Sequence, residues 1–221
     1  MFCWRITPLT AVADMESGAF RNGKRIFACA TSLLWSIKSR LKKATTAPLN
    51  QEKLFSALQL LQLDPNIKTI SAELSAGVRP DTNILEVEVI TANPWQIATI
   101  SNNGRAPSVG TFRQGVEVAH GNITGFGDSL NTLYTNTDGS DTIEVSYSIP
   151  VNSSNGRIEL FYRHRDNEVI ESPFERLDIE SNSNTYELSF RQPIVQTSRQ
   201  ELSLGLSATR LDSQISILGT N

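Results

Sequence analysis

The sequence predicts a mainly β chain: an antiparallel meander preceded by part of a small α+β domain. Two patterns carry this. From residue 93 onward apolar and polar residues alternate in segment after segment. Side chains on a strand point alternately to opposite faces, so this period gives each strand one apolar and one polar face. The one clear helical stripe lies before Asn93-Pro94, and no convincing helix follows it.

Residues 1–49 read differently from the remainder. They carry eight Lys/Arg against two acids, whereas residues 50–221 carry twelve against twenty-one. Such a split points to segments with different jobs or histories. The apolar run from Ile26 to Ile37, flanked by basic residues, is short of the roughly twenty residues a spanning helix needs. It has the length of a secretory apolar region, but Lys38, Arg40, Lys42 and Lys43 stand where a small-residue cleavage site belongs. A loose basic amphipathic helix and a misplaced or rearranged start of the reading frame are the other readings. The last is favoured, with residues 1–49 left as an unassigned basic segment that packs poorly on the rest.

Residues 50–92 carry helix, strand, turn and strand. Asn50 is the expected N-cap, followed by an acid in the first turn. Leu54, Leu58 and Leu61 form the stripe, which stops at Asp64-Pro65-Asn66. A strand follows from Ile67 to Leu74, a turn at Gly77–Pro80, and a second strand at Ile84–Ile90 with Leu85, Val87 and Val89 on one face. This is half of an α+β domain.

In 93–221, strands are expected near 95–101, 111–120, 128–136, 141–150, 157–165, 184–192 and 201–211, with a possible eighth starting at Ser213. The short connections are 121–127, 151–156 and 193–200, and the long acidic one is 166–183. The clearest hairpin is 141–165. Pairing Val151 with Gly156 across Asn152–Asn155 sets Ile149 opposite Ile158, Tyr147 opposite Leu160 and Val145 opposite Tyr162. The same register sets Glu144 opposite Arg163. Strands of this length with unequal turns fit a transmembrane β-barrel, and a soluble β-sandwich gives the same alternation. The two differ in what the apolar positions Val145, Leu188 and Leu204 meet: lipid in a barrel, a second sheet in a sandwich. Leu202, Leu204 and Leu206 alternate with Ser203, Gly205 and Ser207, small residues suited to a lumen wall.

Chemistry-bearing residues are sparse. His120 and His164 lie near the ends of separate strands with no metal-ligand spacing, and read as exposed or lumen-facing. The glycine-rich stretch 121–128 is followed by a strand rather than a helix, so it is a tight turn and not a phosphate loop. Asn122-Ile-Thr and Asn152-Ser-Ser match the glycosylation triplet, a pattern common by chance. The acidic connection 166–183 reads as a solvated loop. Cys3 and Cys29 are the only cysteines and give no disulfide argument. The acidic body argues against nucleic acid as a partner. No catalytic, cofactor-binding or metal-ligating residues are assigned, and no enzyme is expected.

Several phrases resemble one family. Leu74-Ser-Ala-Gly-Val-Arg-Pro-Asp81 with Ile84–Val89 is similar to the end of a polypeptide-transport-associated (POTRA) domain. Asn102–Gly110 and Gly125-Phe-Gly-Asp128 resemble the first barrel hairpins of two-partner secretion transporters of the haemolysin secretion/activation type. Tyr147–Val151 and Arg191–Val195 resemble that family's strand ends before periplasmic turns. The resemblance implies an outer-membrane barrel of sixteen strands behind two periplasmic POTRA domains, exporting an unfolded β-helical client without cofactor or nucleotide. It implies residues 50–92 as the C-terminal half of a POTRA domain in the periplasm, and 93–221 as the first seven or eight barrel strands against outer-membrane lipid. The short turns would then be periplasmic and 166–183 extracellular. The family's Val-Arg-Gly-Phe/Tyr motif is absent, so an incomplete copy that does not export alone is expected. The alternative is a soluble or surface-exposed β-sandwich binding module.

Overall fold

A computed structural model describes residues 3–8, 37, 40–41, 50–76, 83–197 and 199–218. The turn expected at 77–80, Cys29, and all of the apolar run 26–37 except Ile37 lie outside these. The chain divides into two compact units, one of residues 1–93 with 122–127 and 194–202, the other of 94–121, 128–193 and 203–221.

The first unit is built on a three-stranded sheet of β1 (Cys3–Pro8), β3 (Asn83–Thr91) and β2 (Ile67–Ala76), in that order. Strand β2 runs antiparallel to β3 with Ile70 opposite Val89 and Leu74 opposite Leu85, and β1 runs parallel to β3 with Ile6 opposite Val87. Period-two alternation puts Leu85, Val87 and Val89 of β3 on its buried face. Helix α1 (Gln51–Gln62) adds Leu54 and Leu61 to the same core, with Leu58 packed against it. Asn50 caps α1 through its side-chain oxygen, which accepts from the amides of Glu52 at 2.9 Å and Lys53 at 3.2 Å. Asn50→Ala is expected to cost about 1 kcal/mol, read as faster amide exchange at Glu52 and Lys53; unchanged exchange would show that solvent replaces the cap.

The expectation that residues 1–49 stand apart is corrected here. Residues 3–8 supply an edge strand of the sheet, and Ile37 and Leu41, both helical, are 2% and 0% exposed inside its core. Arg40 reaches Asp64 at 3.4 Å, beside the end of α1. A segment with strong net charge can still present apolar side chains four apart, and that spacing places them on one helix face. The half-domain expected at 50–92 is therefore joined by elements from upstream.

The second unit is a seven-stranded antiparallel meander. Its strands are β4 (Trp95–Asn102), β5 (Arg113–Gly121), β6 (Ser129–Thr137), β7 (Ser140–Pro150), β8 (Arg157–Glu168), β9 (Glu180–Gln196) and β10 (Glu201–Ser216), each beside its neighbour in sequence. The sheet is open, with β4 and β10 as its edges. The hairpin β7–β8 has the expected register, with Tyr147 opposite Leu160, and the Val151 amide donates to the Gly156 carbonyl at 2.8 Å. Two boundaries differ from expectation. The eighth strand at Ser213 is the continuation of β10. Strand β9 starts at Glu180 and β8 runs to Glu168, so the long acidic connection shrinks to 169–179.

Candidate functional site

The seven-stranded sheet has two chemically distinct faces, and the register assigns every residue to one of them. Along one row Val116, Tyr134, Ile143 and His164 are neighbours, and along another Tyr147, Leu160 and Leu188. Many of these large apolar side chains are exposed: Leu160 by 54%, Leu188 by 51%, Leu204 by 65% and Ile97 by 72%. Among the described residues this unit has one sheet, without the second sheet against its apolar face that the β-sandwich alternative requires. From Ile143 to Ile149 the apolar row on β7 runs about 20 Å along the strand, of the order of the ~25 Å lipid-facing band of outer-membrane barrels.

Above this band the same face turns polar. Asp141 accepts from the Tyr134 hydroxyl at 2.7 Å and from the Asn136 amide at 2.9 Å. On the next strands His164 lies 2.8 Å from Asn184 and 2.9 Å from Asp166, and Tyr162 donates to Asn184 at 3.0 Å. Below the band Trp95 meets His120 edge to face, with ring centroids 4.5 Å apart. Both histidines thus lie on the outward, largely apolar face and half-buried, which corrects the reading of them as exposed or lumen-facing. Each marks an end of the band, where an amphipathic ring has one side apolar and one side wet.

The opposite face carries Ser, Thr, Asn, Glu and Arg. Arg163 Nε donates to Glu144 at 2.8 Å, the pair expected from the hairpin register. Asn131 donates to Glu117 at 2.6 Å, and Arg157 to Ser148 at 3.0 Å. Thr135, Thr137, Ser140 and Thr142 are buried at one end of this face.

The turns explain the two asparagine triplets. The Asn122 side chain accepts from the Gly127 amide at 2.8 Å, and Asn152 accepts from the amides of Ser154 and Gly156, each at 2.9 Å. Both side-chain oxygens hold their own turns, which supports the turn reading of 121–128. At the other end of the sheet the connections are tied to each other. Gly139 donates to the Val109 carbonyl at 3.1 Å and Ile170 to Ser108 at 2.9 Å, while Glu168 donates to Gly139 at 2.8 Å. Gly110 has φ +89°, and a Cβ there would lie 2.9 Å from the Asp138 amide nitrogen. Gly110→Ala is therefore expected to cost about 1–3 kcal/mol. Amide exchange at Gly139 and Ile170 should quicken, and protection equal to the parent would show that this lacing does not depend on Gly110.

This architecture matches known structures. BamA from Haemophilus ducreyi lacking POTRA domains 1-3 aligns with a TM-score of 0.60 at 14% identity, covering 81% of this chain and 33% of that one. CdiB from Escherichia coli aligns at 0.58 with 13% identity, covering 81% and 36%. CdiB from Acinetobacter baumannii aligns at 0.59 with 15% identity, covering 86% and 36%. The chain spans about a third of the length of each. The matched share exceeds residues 94–221, so the likeness extends into the N-terminal unit. No curated protein matches the chain. Residues 81–221 match the family described as haemolysin secretion/activation protein ShlB/FhaC/HecB, which covers the whole meander and all of β3. The chain belongs to the ShlB/FhaC/HecB family of haemolysin secretion/activation proteins, a family of outer-membrane transporters.

Proposed function

We propose that the chain serves two-partner secretion, with its seven-stranded sheet as wall of an outer-membrane barrel along which a secreted client passes. The observation that carries this reading is the sheet's two-facedness: an uncovered apolar band on one face, and Ser, Thr, Asn and paired charges on the other. A lipid bilayer satisfies the first and a hydrated passage the second, whereas water on both sides would leave the apolar band exposed. The client would be a β-helical protein exported unfolded, moved without cofactor or nucleotide, so the role is transport and not catalysis.

In this reading the N-terminal unit is a POTRA domain in the periplasm. Its strand, helical residues, α1, β2 and β3 supply both halves of a small α+β domain around a mixed sheet. The sheet's edge strands β1 and β2 have backbone groups on which an extended client segment can add a strand. The turns at 122–128, 151–156 and 197–200 then face the periplasm, and 103–112, 138–139 and 169–179 the exterior.

The test is fractionation. Expressed behind a signal peptide, the chain should sediment with outer membranes and resist alkaline carbonate extraction. Recovery in the soluble periplasmic fraction as a folded protein would overturn the membrane reading.

A further inference from the structure

The polar face is not electrically uniform. At the end nearest the connections 103–112 and 138–139 it gathers Arg105, Arg113, Arg163 and Arg165. The register places Arg165 in a row with Thr142, Thr135 and Gly115 on one side and Ser183 on the other, a row without an acid. In the adjoining row Glu144 is engaged by Arg163 at 2.8 Å, and Glu117 by Asn131 at 2.6 Å. Arg105 reaches this face from its loop, donating from Nη2 to Ser140 Oγ at 3.0 Å, and Ser140 donates on to Asn167 at 2.7 Å. The Nε atoms of Arg105, Arg113 and Arg165 are all shut off from solvent without a hydrogen-bond partner among the described residues.

A guanidinium presents five donors in a planar fork that suits a carboxylate, and a buried donor without an acceptor is costly. Three such groups on one face, beside carboxylates already engaged, leave an excess of positive charge with unused donors. We infer that this arginine set on the polar face is a docking site for an acidic stretch of polypeptide, whose carboxylates draw the guanidiniums outward.

Its extent favours a chain over a small anion. Arg113 on β5 and Arg165 on β8 are three strand spacings apart, roughly 14 Å. A set spread over the strands from β5 to β8 offers separate partners to several carboxylates of one extended segment, where a single phosphate engages only part of it. Lipid phosphates would meet the other, apolar face. The inference deepens the proposed function by giving the chemistry of what travels along the wall, and rests on that reading only for the identity of the peptide as client.

The test uses the full chain in detergent micelles and a labelled ten-residue peptide of Glu, Gly and Ser, followed by fluorescence anisotropy at low salt. A peptide with Gln in place of Glu is the control. Saturable binding of the Glu peptide alone is expected. The triple variant Arg105→Gln/Arg113→Gln/Arg165→Gln should weaken it at least about tenfold, as loss of charge-assisted bonds predicts. The single variant Arg165→Gln, with strand content checked by circular dichroism, provides the same reading if the triple variant does not fold. Arg191→Gln, at the other end of the polar face, should leave binding unchanged. Equal binding by the Gln peptide, an equal loss at Arg191, or full competition by equimolar phosphate would overturn the proposal. Binding is scored on purified protein and membrane association by fractionation, so failure of one is distinguishable from failure of the other.

Discussion

Leu160→Arg lowers the stability of the chain folded into lipid vesicles by about 2–4 kcal/mol, whereas Ser189→Arg costs less than about 1 kcal/mol. Both positions lie on neighbouring strands of the sheet, and they differ in face. Leu160 stands between Tyr147 and Leu188 at the middle of the apolar band and is 54% exposed, so its replacement puts a cation where only lipid can meet it. Ser189 stands opposite Glu159 on the polar face, where an arginine gains a cross-strand carboxylate. Urea titration monitored by tryptophan fluorescence and by gel mobility of the folded form measures both. Similar losses at the two sites would mean that the two faces meet the same medium, and the barrel-wall reading would fall with that result.

The features that were legible in the sequence are those that a short window encodes. The β7–β8 register follows from matched alternation about four turn residues, because a slip of one residue would reverse every side chain. The Glu144–Arg163 pair follows from that register. Asn50 was readable as a cap for the same local reason. Strand β9 was partly hidden. Its first residues, Glu180 to Ser183, have loop composition, yet they pair with β8, where Asn182 finds Asp166 and the adjoining Asn184 finds His164 and Tyr162 as hydrogen-bond partners. Composition reports what a side chain prefers on average, and these partners come from another strand.

The arginine set shows the same limit at longer range. Arg163 is legible because its partner sits across a hairpin, but Arg113 comes from the start of β5 and Arg105 from the connection before it. Likewise the loop-to-loop bonds through Val109, Gly139 and Ser108 are made by backbone amides and carbonyls, which every residue carries (proline lacking only the N–H) and no residue advertises. Strand β1 is the extreme case. Six residues pair in parallel with a strand more than seventy positions away, and parallel pairing requires a long crossover that leaves no turn signal. Its net charge then suggested a foreign segment, although charge describes the solvated surface and not the buried stripe.

Residues 1–49 should accordingly prove indispensable to the N-terminal unit. Leu41 is fully buried, and Leu41→Ala is expected to cost about 2–5 kcal/mol, while Phe55→Ala, at a position 62% exposed, should change stability by less than about 0.5 kcal/mol. Deleting residues 1–49 goes further. It strips β1 from the sheet, so the parallel edge of β3 loses its backbone partners, and it removes Ile37 and Leu41 from beside Leu54, Leu61, Leu85, Val87 and Val89. Six strand residues contribute little to a circular dichroism spectrum dominated by the seven-stranded sheet, so the readout must be local. Limited proteolysis with mass spectrometry of the full and deleted chains supplies it. Cleavage within 50–92 should become rapid in the deleted chain, with cleavage in β5 to β9 unchanged. If 50–92 keeps its resistance without the first 49 residues, β1, Ile37 and Leu41 are accessories to a core that stands on α1, β2 and β3.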